Sequence, residues 1–153
     1  MAAQTSGLFT IGYEQTTPSA FNDTLVRAGV DLVVDVRAVA ASRRPGFSKT
    51  SLAAGIATHG IAYVHLRALG TPKEGRLAAR SGDHGALMRI YDAHLQSPGA
   101  RAALEELSAL APGRRLCLLC YERHVEGCHR LRLAQWLCER LDVPVDHLVP
   151  DPF

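Results

Sequence analysis

The apolar residues of this chain fall into short continuous runs that alternate with segments of helical periodicity. Runs this short, rich in β-branched and aliphatic residues, predict strands that are buried on both faces of a sheet. They span residues 8–12, 31–36, 61–65, 115–120 and 143–148. Segments with apolar residues three and four positions apart predict helices. These span residues 18–28, 49–58, 86–96, 98–111 and 128–141.

The alternation of strands and helices favours parallel strands joined by right-handed crossovers. Signals at the first helix agree, because Thr17 is a suitable N-cap, Pro18 suits the first turn and Gly29 can end the helix in the left-handed conformation. A length of 153 residues suits one domain with one core. We therefore expect a single α/β domain over residues 1–153, with a mostly parallel sheet of about five strands flanked by helices.

The middle of the chain, residues 69–83, is polar and rich in glycine. This composition favours irregular backbone. We expect an excursion or lid here instead of regular secondary structure.

The composition is that of an ordinary globular chain, with 47% hydrophobic and 21% charged residues. No apolar run approaches the roughly 20 residues needed to span a bilayer, and residues 1–7 lack the basic cluster and apolar core of a secretory signal. The four cysteines lie close together in residues 117–138, unlike those of a secreted disulfide scaffold. These features predict a cytoplasmic protein with reduced thiols and no membrane partner.

Polar and reactive side chains follow the predicted strands at their carboxyl ends. The carboxyl ends of parallel strands meet at one edge of a sheet, which is where α/β proteins place their ligands. These residues therefore predict one composite site. They are Tyr13, Glu14, Asp35, Arg37, His65, Cys120, Tyr121 and Glu122.

A basic loop after the second strand adds cations to this edge. The formal net charge is only +2, so a local cluster matters more than the total charge for binding an anion. Cationic side chains make charge-assisted hydrogen bonds with phosphate groups. The predicted ligand-binding residues are Tyr13, Asp35, Arg37, Ser42, Arg43, Arg44, Lys49, His65 and Arg130. The alternative is a solvated basic loop without a ligand.

Residues 118–130 carry thiols, carboxylates and imidazoles beside a predicted helix start. The helix dipole and neighbouring cations favour a thiolate at Cys128. Two carboxylates at strand ends can divide the work of general acid and general base, with His65 or His129 as a third proton-transfer group. The predicted catalytic residues are Glu14, Glu122, Cys120, Cys128 and His129. The alternative is that the acids only form structural ion pairs with arginines.

Two of the four cysteines are predicted to be core residues. Cys117 lies in mid-strand among leucines, and Cys138 lies on the apolar face of the last helix. Neither is a candidate for chemistry.

Cys120 and Cys128 have further alternatives. They can form a redox pair, or they can bind a metal ion together with His129, with or without His65. The spacing Cys-x7-Cys-His differs from the short Cys-x2-4-Cys knuckle of structural zinc sites, so neither a metal nor a cofactor is predicted. A hydrogen-bonded structural role for this loop remains open.

Several motifs occur together in this chain and give it a resemblance to a known family. They are TIGYE at residues 10–14, DVR at 35–37, SRRPGFSK at 42–49, GIAYVHL at 60–66 with LG at 69–70, and LCYE at 119–122 with CHR at 128–130. In these motifs the chain resembles the bacterial family named domain of unknown function 488 over nearly its whole length. The resemblance implies an α/β fold and a set of site residues, but it implies no reaction or substrate.

A weaker similarity links residues 33–37 to the early strand of rhodanese sulfurtransferases, whose catalytic cysteine also lies at a strand end before a helix, as Cys120 does. An anion cradle of the cysteine-phosphatase type requires an arginine six positions after the cysteine, where this chain has Glu126. Sulfur or phosphoryl transfer through Cys120 is therefore a minor alternative.

The preferred hypothesis is a basic, anion-binding pocket at the carboxyl edge of the sheet, in an enzyme or binder for a phosphate-bearing ligand such as a nucleotide or nucleic acid. One alternative is a non-catalytic protein associated with nucleic acid, which would need a long basic groove. The other is a thiol- or metal-dependent sulfur or redox protein, which would need both candidate thiols and an imidazole directed at one point. Catalysis would need the candidate residues to converge in a closed cleft.

Overall fold

The predicted strands all form in the structure, a computed structural model that describes residues 6–153, and they pair in parallel in one sheet. The strands are β1 (Gly7–Gly12), β2 (Leu32–Asp35), β3 (Ala62–His65), β4 (Arg115–Cys120) and β5 (Val145–Leu148). Their order across the sheet is β3-β2-β4-β1-β5. The predicted α/β fold with a parallel sheet of five strands is confirmed.

Six helices flank this sheet within the described residues. They are α1 (Pro18–Ala28), α2 (Lys49–Ala57), α3 (Lys73–Arg80), α4 (His84–His94), α5 (Pro98–Leu110) and α6 (Arg130–Leu141). Helix α1 uses the predicted signals, because the Thr17 hydroxyl accepts a hydrogen bond from the Ala20 amide at 3.1 Å and Gly29 ends the helix at a φ of 73°.

Helices cover both faces of the sheet. Helices α1 and α2 pack on one face, and α4, α5 and α6 pack on the other. Neighbouring strand residues point to opposite faces, so that Val33 packs on the side of α1 and α2 and Val34 packs on the side of α4, α5 and α6. Because both faces are covered, apolar and polar residues do not alternate along the strands. Cys117 is buried on the face that α1 and α2 cover, and Cys138 is half-buried on the opposite face, as expected for core residues.

Strands β1 and β4 are neighbours whose chains leave the sheet in opposite directions. Strand β1 continues into α1 on one face, and β4 continues into α6 on the other face. Gly12 and Cys120 are paired at the carboxyl ends of these two strands. Such a divergence opens a crevice at the strand ends, which is the usual ligand position in open α/β sheets.

The prediction of an irregular lid over residues 69–83 is wrong. This segment contains the end of a 3-10 turn, Arg67–Leu69, and the regular helix α3, which packs on α4. Gly75, which favoured irregular backbone in the sequence, instead permits close packing inside the helix. A Cβ atom on Gly75 would lie 2.4 Å from the side-chain methyl of Thr71.

The start of the last helix also differs from the prediction. Helix α6 begins at Arg130, two residues later than expected, and Cys128 before it has extended backbone with φ −132° and ψ 145°. A 3-10 turn, Val125–Gly127, precedes this extended residue.

The prediction that the chain has no secretory signal rests on residues 1–7, and residues 1–5 lie outside the described residues. Among the helices of residues 6–153, none combines the length and the apolar character that a membrane crossing requires.

Candidate functional site

A cavity of about 850 Å³ opens at the carboxyl edge of the sheet, over β1 and β4. Its strand side consists of residues that follow these strands and includes Cys120, Glu122 and His129. Its helical side comes from α3 and the start of α4 and includes Arg76 and Arg80. We call these two walls the strand side and the helical side.

The loop after β4 lies very close to the end of β1. A Cβ atom on Gly12 would lie only 1.8 Å from the Glu122 carbonyl oxygen, so no residue with a side chain fits at position 12 without moving this loop. The Glu14 amide donates a hydrogen bond to the Tyr121 carbonyl at 2.9 Å. The two strand ends therefore hold Glu122 at a fixed position on the strand side.

Glu14 lines the cavity, but its carboxylate has a structural partner. Its Oε1 accepts a hydrogen bond from the Arg123 amide at 2.9 Å. The Arg123 side chain in turn donates to the Pro150 carbonyl at 2.8 Å. Glu14 thus fixes the loop after β4, a role that is compatible with a place in the cavity wall.

Cys120, Cys128 and His129 form a thiol–imidazole cluster at the strand side. The Nδ1 atom of His129 lies 3.6 Å from the Cys120 sulfur and 3.7 Å from the Cys128 sulfur. The Nε2 atom of His129 lies 2.8 Å from the Val36 carbonyl oxygen, which can only accept, so Nε2 carries a proton and Nδ1 faces the two sulfurs. The ring of Tyr91 packs edge-on against the imidazole at 4.9 Å.

Glu122 extends this cluster into the cavity. The Cys120 thiol donates a hydrogen bond to Oε2 of Glu122 at 3.1 Å. Burial, together with the negative charge of the Cys128 thiolate, raises the pKa of the Glu122 carboxyl from 4.5 to about 7. Cys120, Glu122 and His129 are thus in direct contact around one sulfur atom and also line the cavity.

The two thiols of the cluster have opposite acidities. Burial, with the nearby Cys128 thiolate, raises the pKa of Cys120 well above its usual value. Burial would also raise the pKa of Cys128, but the hydrogen bond with Cys120 and the charges of His129 and Arg130 lower it well below its usual value. Of the two thiols, Cys128 is therefore the one that loses its proton first. The pKa of His129, which burial alone would lower, is raised by the Cys128 thiolate.

Arg130 is buried beside the cluster, with 1% of its surface exposed. Its guanidinium donates to the Glu122 carbonyl at 2.7 Å and to the Arg123 carbonyl at 3.4 Å, and its Nε has no partner. No carboxylate forms an ion pair with it within residues 6–153. Arg130 therefore supports the loop backbone and supplies a buried positive charge next to the thiols.

Arg37 is the predicted ligand-binding arginine with the most extensive structural bonding. It forms a bidentate ion pair with Asp35, with Nη2–Oδ2 at 2.7 Å and Nε–Oδ1 at 2.9 Å, and it donates to the Phe47 carbonyl at 2.7 Å and the Tyr13 hydroxyl at 3.3 Å. Burial alone would lower the pKa of Arg37, but Asp35 raises it above the ordinary value. Tyr63 also donates to Asp35. Although Arg37 lines the cavity, its donors are directed at the protein.

Arg44 is likewise bonded within the protein. It donates to the carbonyls of Tyr13 and Thr16, and its guanidinium lies 4.8 Å from the ring centre of Phe47. The hydroxyl of Ser42 accepts a hydrogen bond from the Arg44 amide at 3.1 Å. The loop is thus held in shape by Ser42 and Arg44, and neither residue lines the cavity.

Five more predicted ligand-binding residues do not line the cavity: Asp35 and Arg130, whose partners are given above, and Arg43, Lys49 and His65. Arg43 and Lys49 are exposed on the surface. His65, at the end of β3, lies with its Nε2 atom 2.8 Å from the Arg37 carbonyl oxygen and braces β2 against its edge strand.

Sequence reasoning missed the cationic residues of the helical side. Arg76 is half-buried and donates to the Thr71 carbonyl at 3.2 Å, whereas Arg80 is exposed and has no hydrogen bond or ion pair with any described residue. Helix signals were present in the sequence, with Pro72 before the first turn and Gly82 after the last. In the structure Gly82 has the positive φ that is typical of a glycine after a helix. A helix predicted from them would have placed Arg76 and Arg80, four residues apart, on one face.

Formal charges are segregated across the cavity and are not uniformly positive. Glu14, Glu122 and Glu126 belong to the strand side, and Arg76 and Arg80 belong to the helical side. Arg37 also lines the cavity, but its charge is paired with Asp35, so the cavity combines a reactive, acidic side with a cationic side.

One family model matches the chain over residues 17–137, and it is described as domain of unknown function DUF488. The matched range contains the thiol–imidazole cluster and the helical side of the cavity, but not β1. No curated protein matches the chain.

Proposed function

Since the chain belongs to the family described as domain of unknown function DUF488, a name that states no reaction, we propose from its site that it is an enzyme acting on a small molecule with one anionic group. The observation that carries this proposal is the cavity with two chemically different sides. Its strand side holds a thiol, a carboxylate and an imidazole in mutual contact, and its helical side holds two guanidiniums.

The size and charge of the cavity favour a small molecule over nucleic acid. A volume of about 850 Å³ lies in the range of pockets that enclose a ligand of metabolite or drug size. Nucleic acid requires a row of free cations along an extended surface. Three of the predicted ligand-binding arginines, Arg37, Arg44 and Arg130, instead donate to protein oxygens.

The helical side favours a phosphate or carboxylate on the ligand. Arg80 is free to form charge-assisted hydrogen bonds, and Arg76 lies one turn before it on the same helix. The carboxylate of Glu14 on the strand side, joined by that of Glu122 when it is ionised, would repel a second anionic group. A ligand with one anionic end, such as a nucleoside monophosphate, matches this distribution.

The strand side supports catalysis and not binding alone. Cys120, Glu122 and His129 offer proton-transfer groups and sulfur at a place where the ligand's uncharged part would lie. All four cysteines are unpaired, which fits the predicted cytoplasmic location, where thiols remain reduced.

The experiment is a thermal-shift titration with inorganic phosphate, adenosine monophosphate and a single-stranded oligonucleotide. A ligand at ten times its Kd stabilises by about 1.4 kcal/mol, so we expect adenosine monophosphate at saturation to raise Tm by about 3–6 °C. Arg80→Ala should abolish this shift. Arg89→Ala is the matched control, because Arg89 is exposed on α4 and does not line the cavity.

Two outcomes would count against the proposal. One is a shift with the oligonucleotide but with neither small phosphate compound, and the other is an unchanged shift in Arg80→Ala.

A further inference from the structure

The thiol–imidazole cluster has the composition and spacing of a metal site. We propose that Cys120, Cys128 and His129 bind one divalent ion of the zinc type, with one coordination position open toward the cavity. This inference goes beyond the proposed enzyme function, because it names a cofactor, and ion binding stands on its own geometry.

The distances within the cluster suit a tetrahedral ion. Zinc binds sulfur at about 2.3 Å and histidine nitrogen at about 2.0–2.1 Å, which places a sulfur and a nitrogen about 3.6 Å apart when both are ligands. The two sulfur–nitrogen distances to His129 Nδ1 are 3.6 Å from Cys120 and 3.7 Å from Cys128. All three ligand atoms lie within 4.8 Å of one another. The two sulfur–nitrogen distances therefore match those of a tetrahedral ion, and rotation of a cysteine side chain would bring the two sulfurs to the separation of about 3.8 Å that such an ion requires.

The orientation of His129 is that of a metal ligand. Its Nε2 proton is donated to the Val36 carbonyl at 2.8 Å, so the Nδ1 lone pair points toward the two sulfurs. Histidine ligands usually donate their second nitrogen to a carbonyl or carboxylate, which fixes both the tautomer and the ring orientation. The Tyr91 ring, whose hydroxyl donates to the Leu69 carbonyl at 2.6 Å, packs against the imidazole and limits its rotation.

The charges at the cluster suit such an ion. A divalent ion with two thiolates is neutral. The Arg130 guanidinium is buried beside the two sulfurs, and the Arg130 amide donates a hydrogen bond to the Cys128 sulfur at 3.5 Å. The positive charge of this guanidinium stabilises the two thiolates that such an ion requires.

The open position distinguishes this cluster from a structural zinc site, which has four protein ligands. The described residues supply three ligands in one group. Cys120 and His129 line the cavity and Cys128 lies behind them, so the fourth position faces the cavity. A Cys2His set with one open position is a catalytic arrangement, in which the ion binds water or polarises a substrate oxygen.

The first measurement is the metal content of tag-free protein by mass spectrometry. We expect about one zinc ion per chain in the wild type and far less in Cys120→Ser, Cys128→Ser and His129→Ala. Cys138→Ser is the matched control, because Cys138 is half-buried in the core and should leave the zinc content unchanged. Circular dichroism reports whether each variant is folded.

The second measurement needs no variant. Cobalt(II) added to metal-free wild-type protein should produce thiolate-to-cobalt charge-transfer absorption and intense visible bands of tetrahedral cobalt, saturating at about one equivalent. Zinc added afterwards should remove these bands.

The proposal is overturned by cobalt binding without charge-transfer absorption, by full zinc content in Cys128→Ser, or by a Cys120–Cys128 disulfide in freshly purified protein. Loss of the adenosine monophosphate shift with zinc content intact would count against the anionic ligand alone. Absence of metal with that shift intact would count against the ion alone.

Discussion

At the scale of single residues, burial and partners determine what each arginine does. Arg37 and Arg130 carry the same group as Arg80, yet they donate to oxygens within the protein and Arg80 does not. A buried guanidinium directs most of its donors at protein oxygens, because a buried polar group without a partner is costly, although the Nε of Arg130 has none. The sequence therefore identified the residues that stabilise the cavity wall more readily than those that can bind a ligand.

The buried ion pair of Asp35 and Arg37 leads to a stability prediction. Asp35→Asn would leave the Arg37 charge without its partner, so we expect it to lower the free energy of unfolding by about 3–5 kcal/mol. The measurement is urea denaturation.

The matched control is Asp92→Asn, because the Asp92–Arg132 pair has a similar 2.9 Å contact, with side chains 51% and 39% exposed. This change should cost no more than about 1 kcal/mol. Equal losses in the two variants would show that the buried network tolerates an unpaired guanidinium.

At the scale of elements, the caps and periodicity that predicted α1 are local, and they were sufficient. Helix α3 shows where these signals fail, because Gly75 is required by close packing against the Thr71 methyl and against Ile90 of α4, which the sequence pattern does not display. Glycine in a helix costs about 1 kcal/mol relative to alanine, so its presence normally argues against a helix. Here it avoids contact with the Thr71 methyl, and the helix forms with the glycine inside it.

This explanation of α3 is tested by Gly75→Ala. The substitution should improve helix propensity but destabilise the protein by about 1–3 kcal/mol, because the new methyl would lie 2.4 Å from Thr71 Cγ2. Adding Thr71→Ser removes that methyl and should recover most of the loss. Urea denaturation of the two single variants and the double variant measures the coupling. Gly75→Ala that is as stable as the wild type would contradict the packing explanation.

At the scale of the whole molecule, the cavity follows from the order of the strands. Because β1 and β4 are neighbours and lead to helices on opposite faces, their loops separate at the carboxyl edge. Helices α3 and α4 then close the other side of the opening. Candidate residues far apart in the sequence, such as Glu14 and Glu122, come to line one cavity in this way.

The same topology predicts how local stability is distributed. Strand β4 lies between β2 and β1, whereas β3 and β5 are the edge strands. We expect the β4 amides to exchange with deuterium at least about tenfold more slowly than those of β3, β5 and α3. Hydrogen exchange read by mass spectrometry measures this order. Edge strands as slow as β4 would indicate that the sheet opens only as one unit.

The sequence by itself determined the five strands, every helix except α3, the parallel sheet and the edge at which reactive residues gather. Those properties depend on local periodicity and on the direction of the chain, and both can be recognised in a linear sequence. Metal binding by the thiol–imidazole cluster was one of the alternatives that the sequence left open, but the spacing Cys-x7-Cys-His did not favour it. The reason is that the candidate ligands come from the end of a strand and the segment that starts a helix, and not from one short knuckle.

Only the tertiary structure decided which side chains face the cavity. His129 is oriented by the carbonyl of Val36, 93 residues away in the sequence, and the donors of Arg37 are taken by Asp35, Tyr13 and Phe47. Such hydrogen bonds depend on distances between separate elements, which no local pattern encodes. The physical reason is that a buried polar group takes whichever partner the packing brings within reach, and that partner is known only once the elements are assembled.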